Sequence, residues 1–335
     1  MLRRIVRSQE FVIALAIVAL SAIITAINPA YFTLGNFYDL LRFMTIDGIL
    51  ALGVLIVLIS GGVDVSFPAI ASFATYVAMT LLIGVSFDGP IWVIYAVALP
   101  IGLLLGLLNG VVVNAFRLPT LIVTLGTSSL YFGAMLFFFG SRVLFNLPSS
   151  VTEFSRMSLQ TVSSPTNVGT TSLHPSILIL VVAALAVWFM LRYTMIGRSI
   201  FAIGGSREVA ERTGYNIRRT EYFLYSVAGV LAATAGVTYA ALNRQANPVG
   251  LRGTELDVIA AVVLGGASIM GGSGSVIGAM LGVLLLTIIR SSLVLVGIPS
   301  EWQRFVVGII LVIGVTVPAV RSARQQRHAV MTTAE

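Results

Sequence analysis

The sequence predicts an all-α polytopic membrane protein with about ten transmembrane helices. Three observations carry that fold class. The 335 residues are 57% hydrophobic and 10% charged, where a soluble domain carries about 25% charged residues. The mean hydropathy is +0.99, and several apolar runs approach the ~20 residues that cross a hydrocarbon core of about 30 Å. The basic residues flank those runs instead of forming one surface, which removes the nucleic-acid reading that a net charge of +7 would otherwise invite.

In chain order the apolar runs are 11–27, 43–60, 68–84, 91–114, 119–139, 175–193, 222–241, 255–270, 273–290 and 304–320. The start MLRRIVRSQE followed by the first run has the outline of a signal peptide; we read that run as a retained span. Arginine placement orients the rest. With both termini cytoplasmic, the inside segments hold Arg3, Arg4, Arg7, Arg117, Arg192, Arg198, Arg207, Arg212, Arg218, Arg219, Arg321, Arg324 and Arg327, 13 of the 20. The outside segments and span ends hold Arg42, Arg142, Arg156, Arg244, Arg252, Arg290 and Arg304. The excess falls inside, and ten spans return the chain to its starting side. The Ser/Thr-rich stretch 140–174 is then outside and 194–221 inside, within a single membrane domain covering 1–335.

What the composition lacks is equally informative. There is no cysteine and only two histidines, His174 and His328, so no disulfide, thiolate metal site or His cluster is expected. All 20 basic residues are arginine, leaving no lysine for a phosphate-binding loop or a Schiff base. Whatever the chain moves or converts, it does not hydrolyse ATP through a P-loop of its own. The hydrolase and metalloprotease motifs G-x-S-x-G and H-E-x-x-H are absent, which makes an enzyme the weakest class.

Within the runs, glycines mark breaks. ISGGVDVSFP (59–68) places Gly61, Gly62, Asp64 and Pro68 where a helix would otherwise continue. At an offset of 204 residues, Gly61-Gly62 falls on Gly265-Gly266, Leu52 on Leu256, Gly110 on Gly314 and Arg117 on Arg321. Paired, glycine-interrupted spans point to an internal repeat and to a translocation site. Small residues also recur in membrane helices because packing uses them. Non-helical backbone at membrane depth is tolerated where protein buries it or where it lines a cavity. The stretch LGGASIMGGSGS (264–275), with Gly265, Gly266, Gly271 and Gly272, is the second candidate break. Asp64 reads either as an N-cap for the helix starting near Pro68 or as a pathway or subunit-contact group.

The segment 197–221, GRSIFAIGGSREVAERTGYNIRRTE, carries five arginines against three glutamates. Between Gly205 and Gly214 it predicts one short amphipathic helix. Ser206 is the cap, Glu208 lies in the first turn, Gly214 is the stop, and Val209 and Thr213 share a face. So short a helix is marginal alone, which suggests docking into a partner's groove; a solvated basic loop is the plainer reading.

Here the residues resemble a family. Glu208-Val-Ala210-x3-Gly214 fits the E-x-A-x3-G core of the coupling loop of bacterial ABC-importer permeases. GGVDVS (61–66), NGVVVNAFRLPTLIVTLGT (109–127) and VVLGGASIMGGSGSVIGAMLG (262–282) resemble the simple-sugar permeases. The likeness runs over roughly residues 10–320. Phe67-Pro68 stands where that family has Val-Gly. The resemblance implies an inner-membrane importer of two permease chains, two cytoplasmic ATP-binding chains that hold the ATP and Mg, and a periplasmic solute-binding protein. It also implies coupling through Gly204, Gly205, Glu208, Ala210, Arg212 and Gly214.

A solute handed over by a binding protein needs only a mildly polar pathway. Candidate lining groups are Asp64, Ser66, Asn109, Asn114, Thr124, Thr127, Asn243, Gln245, Asn247, Glu255 and Asp257. Each has a plainer role. Thr124 and Thr127 can bond helix carbonyls, Glu255 and Asp257 can favour a helix N-terminus, and Asn243, Gln245 and Asn247 can be loop residues. The rival class is an ion- or proton-coupled secondary transporter, which would load its proton on Asp64.

Overall fold

The computed structural model describes residues 9–163 and 170–295, together with 297, 299, 302, 305, 308 and 309. All of the run 304–320 but 305, 308 and 309, the repeat partners Gly314 and Arg321, and the terminal arginines used for orientation lie outside the described residues. Twelve α-helices follow one another there: α1 (Gln9–Ile27), α2 (Leu34–Ile59), α3 (Phe67–Gly84), α4 (Ile91–Phe116), α5 (Thr120–Phe139), α6 (Ser149–Arg156), α7 (Ser176–Tyr193), α8 (Met195–Gly205), α9 (Arg207–Arg212), α10 (Ile217–Asn243), α11 (Glu255–Leu264) and α12 (Val276–Leu295). Eight of them are long and apolar enough to cross a membrane. An antiparallel hairpin, β1 (Gln160–Ser163) with β2 (Thr170–Leu173), is inserted before α7.

Helices α2 and α10 form the centre. From Ile49 to Ile59 the apolar side chains of α2 are at most 1% exposed, so the helix is covered all round. Helix α10 crosses α4 on small residues: a Cβ on Gly102 would stand 2.4 Å from the Gly229 carbonyl oxygen, and one on Gly106 2.2 Å from that of Tyr225. Backbones can approach this closely only where a side chain is missing. Val18, Leu104, Ile122 and Phe189 face outward, an apolar rim suited to acyl chains.

Among the described residues the predicted runs hold with two differences. Helix α2 begins at Leu34, not at 43. Its polar first turns are capped by Thr33, and Arg42 Nη2 donates to the Leu242 carbonyl at 3.1 Å. The run 255–270 is helical only from Glu255 to Leu264, about 15 Å at 1.5 Å per residue, and so does not span. It is a half-helix, fixed at its start by Arg290, which pairs with Asp257 and, at 3.1 Å, with Asp47 of α2.

Contacts sort the connections into two ends. At one, Ser275 Oγ donates to Glu10, and Gly61, Gly204 and Met270–Gly272 meet. At the other, Tyr38 Oη donates to Gln160 Oε1 at 2.9 Å, Tyr76 Oη to the Arg142 carbonyl at 2.8 Å, and Arg244 Nε to Ser155 Oγ at 2.7 Å. His174 is buried here between the Phe154 carbonyl and the Ser176 N–H, and burial holds its pKa below the ordinary value. The segments 140–174 and 194–221 thus lie at opposite ends, as the alternation of spans requires.

Candidate functional site

Both breaks stop their helices with the same bonds. Beyond α2, Gly61 N–H reaches the Leu58 carbonyl and Gly62 N–H that of Val57; beyond α11, Gly266 N–H reaches Val263 and Ala267 N–H reaches Val262. Gly61 (φ +87°) and Gly266 (φ +97°) occupy the left-handed region that this helix stop demands. Aligned on these bonds, which also end α3, α9 and α10, the two breaks place Gly61 on Gly266, an offset of 205 and one more than the sequence register of 204. The identity of Leu52 with Leu256 does not survive: Leu52 is fully buried and Leu256 is 74% exposed.

After Gly62 the chain turns inward. Asp64 Oδ1 accepts from Ser66 N and Ser66 Oγ, both at 2.7 Å. Asn109 Nδ2 of α4 donates to Ser66 Oγ at 2.7 Å, and Tyr131 Oη of α5 lies 2.9 Å from Asn109 Oδ1. Thr124 Oγ1 accepts the Val65 N–H at 3.2 Å and faces the Val63 carbonyl. Asp64, Ser66, Asn109 and Thr124 are all at most 3% exposed. The first break is thus held by side chains from two helices, α4 and α5, which satisfies backbone groups that no water would reach. Asp64 is not an N-cap. The cap position of α3 is Ser66, with Pro68 in the first turn, and Asp64 makes a local turn onto it two residues earlier.

The other pathway candidates separate. Thr127 bonds back to the Thr124 carbonyl at 3.4 Å. Asn114 Nδ2 donates to Glu221 Oε2 at the end that holds Gly61 and Gly204. Asn243 is exposed at the opposite end, bonded to the Tyr239 carbonyl. Asn247 makes its own turn onto the Val249 N–H, and Gln245 lies in that same loop. Glu255 and Asp257 lie in the first turn of α11, with Asp257 engaged by Arg290. No single lining surface unites these groups.

The 194–221 segment holds α8, α9 and the start of α10; the one short helix expected between Gly205 and Gly214 is α9, Arg207–Arg212. Thr194 caps α8 by accepting the Gly197 N–H at 3.1 Å. Ser206 caps α9, and Gly214 (φ +87°) ends the turn beyond it. Ala210 is 1% exposed, packed with Ile203 and Ile217. Val209 is 58% exposed, and the Glu208–Arg212 pair stands in solvent. Helix α9 is therefore anchored by one small face and presents the other.

This segment sits on the breaks. A Cβ on Gly204 would stand 1.8 Å from the Ile59 carbonyl oxygen. A cavity of about 340 Å³ lies between, walled by Gly61, Gly62, Thr120, Gly204, Arg207 and Met270 among others. Arg207 pairs with Glu221, which is buried at the start of α10. Thr120 and Tyr225 share a hydroxyl bond of 2.7 Å beside it.

Residues 36–315, which include both breaks and all of 194–221, match the family described as the permease component of the branched-chain amino acid transport system. The chain belongs to this permease family. The permease is 34% identical over 311 residues to the autoinducer 2 import system permease protein LsrC of Enterobacter sp. (strain 638), covering 92% of this chain and 86% of that one. It is 31% identical over 304 residues to the ribose import permease protein RbsC of Escherichia coli (strain K12), covering 90% and 91%. Against RbsC of Haemophilus influenzae it is 31% identical over 313 residues, covering 93% of each. No solved structure matches it. The permease is a multi-pass membrane transport component.

Sequence reading missed Tyr131, Tyr225 and the joining of Glu221 to Arg207 and Asn114. Glu221 and Arg207 were visible as charges of opposite sign, but their pairing depends on the turn between α9 and α10. Tyr131 had no signal beyond being a polar-tipped residue within an apolar run.

Proposed function

We propose that this permease is the membrane subunit of an ATP-driven ABC importer that passes a monosaccharide or similar small polyol from a periplasmic binding protein to the cytoplasm. The observation that carries the reading is α9: a capped, glycine-stopped turn on the E-x-A-x3-G pattern, anchored by Ala210 and exposing Glu208, Val209 and Arg212. In this reading a cytoplasmic ATP-binding chain, bearing the ATP and Mg, grips α9 in each of two permease chains. The relatives named for ribose and for autoinducer 2 supply the solute class. The end holding α9 faces the cytoplasm of a bacterial inner membrane, with both termini on that side, and the β1–β2 hairpin end meets the binding protein. Asp64, Ser66, Asn109 and Thr124 keep the first break in shape rather than grip solute.

Purification of the permease from native membranes in mild detergent, with intact-complex mass, tests this. An ATP-binding chain is expected to co-purify, and the mass to count two permease chains. Glu208→Arg is expected to lose that chain at unchanged permease yield, since the exposed Glu208–Arg212 pair adds little to folding. Recovery of the permease alone, moving solute without ATP, would reject the importer and favour ion coupling.

A further inference from the structure

Three segments far apart in sequence meet backbone to backbone beneath α9. Gly272 N–H donates to the Ile59 carbonyl at 2.9 Å, joining the second break to the end of α2 at the first. Gly204, in the last turn of α8, lies on that bond: an added Cβ would stand 1.8 Å from Ile59 O and 2.5 Å from Gly272 N. A Cβ on Gly271 would meet Gly61 Cα at 2.7 Å and Gly204 O at 2.8 Å. Just beyond, Arg207 in the first turn of α9 pairs with Glu221 on α10, and Asn114 in the last turn of α4 donates to the same carboxylate. Ser199 of α8 and Thr220 of α10, both buried, share a hydroxyl bond of 2.7 Å.

A side-chain contact can yield to a push by changing rotamer; these contacts run through glycine backbone, which has no rotamer to change. A charged, two-pronged hydrogen bond from a guanidinium is directional and strong for its size. We propose that these contacts form a transmission joint. Gly204 bears on both breaks at once, and Arg207–Glu221–Asn114 straps α9 to α4 and α10. Displacement of α9 then moves the two breaks together. The joint rests on the reading of α9 as the docking helix.

The chain has no cysteine, so Ser60→Cys and Met270→Cys each place a single thiol at one break, and both positions wall the cavity beside Gly204. Maleimide labelling rates are compared in the membrane complex, with its ATP-binding chain, before and after trapping with ATP and vanadate. The expected result is a trapping-dependent change in rate at both positions. That change is lost at both positions in Arg207→Gln and in Gly204→Ala, and is retained in Arg207→Lys, while the ATP-binding chain still co-purifies. Arg207→Gln keeps the test readable should Gly204→Ala not accumulate, because the Arg207 side chain is 46% exposed. A change that survives in Arg207→Gln, or one confined to a single break, overturns the joint with the docking reading intact. Absence of any ATP-binding chain from the unmodified complex overturns the docking reading and the joint with it.

Discussion

At the first break Val65 is 8% exposed; at the second, Met270, which likewise lies four residues beyond the glycine that stops its helix, is 87% exposed. The helix stops before them are the same, with a positive-φ glycine and the same pair of capping bonds. What differs is the company. The first break runs only from 60 to 66 and is enclosed by α4 and α5, whose Asn109, Tyr131 and Thr124 complete its hydrogen bonds. The second runs from 265 to 275, with two further positive-φ glycines, Gly271 and Gly272. It lies against the backbone of α8. One device for ending a helix has thus become a fixed polar plug in one half and a surface joint in the other.

The largest effect expected from this contrast is at Asp64. Asp64→Leu strands the Ser66 N–H, and each buried group left unpaired costs about 1–3 kcal/mol. Asp64→Asn keeps an acceptor oxygen and is expected to cost less. Thermal unfolding of the purified permease in detergent checks both; equal melting temperatures for Asp64→Leu and the unmodified protein would break the idea of a plug.

Next in size are the stops themselves. Gly61→Ala and Gly266→Ala each force a Cβ into the left-handed region, for about 1–2 kcal/mol. The space at Gly61 is otherwise ordinary, and at Gly266 the nearest obstacle is the flexible end of Gln9. Similar losses of melting temperature are expected for the two. A large inequality would show that the shared cap is not what sets their cost.

Val65→Ser is expected to be destabilising, by about 1–3 kcal/mol for removing a buried apolar side chain. Met270→Ser should fall within about 0.5 kcal/mol of the unmodified protein, as surface changes do. The same melting series reads both, and comparable losses would erase the distinction between plug and joint.

Much of the fold was legible because its signals are local. Apolar run length found the eight long helices, and glycine pairs found both breaks. Ser206, Glu208 and Gly214 placed α9 within the segment where it is found. The failures share a cause. Run length stretched the half-helix α11 to 270, because Ala267, Ile269 and Met270 are apolar although the backbone has already turned at Gly266. Helix α2 was started late for the opposite reason: the polar residues of its first turns are served by Leu242 and Gln160, far away in the chain. The repeat register slipped by one because Gly61-Gly62 and Gly265-Gly266 match as letters. The glycine with positive φ is the first of one pair and the second of the other.

The candidate site divides along the same line. By itself the sequence determined the solvent, the run of spans, the places where helices must stop and the presence of a short capped helix between Gly205 and Gly214. Those follow from side-chain polarity, backbone freedom and caps, which act within about one helical turn. Only the tertiary structure decided that Asp64 turns inward onto Ser66 and Asn109, that Arg207 finds Glu221, and that Gly204 lies on both breaks. Which of many polar groups and glycines meet across tens or hundreds of residues depends on where the helices cross, and that is set by packing of the whole bundle rather than by any neighbouring residue.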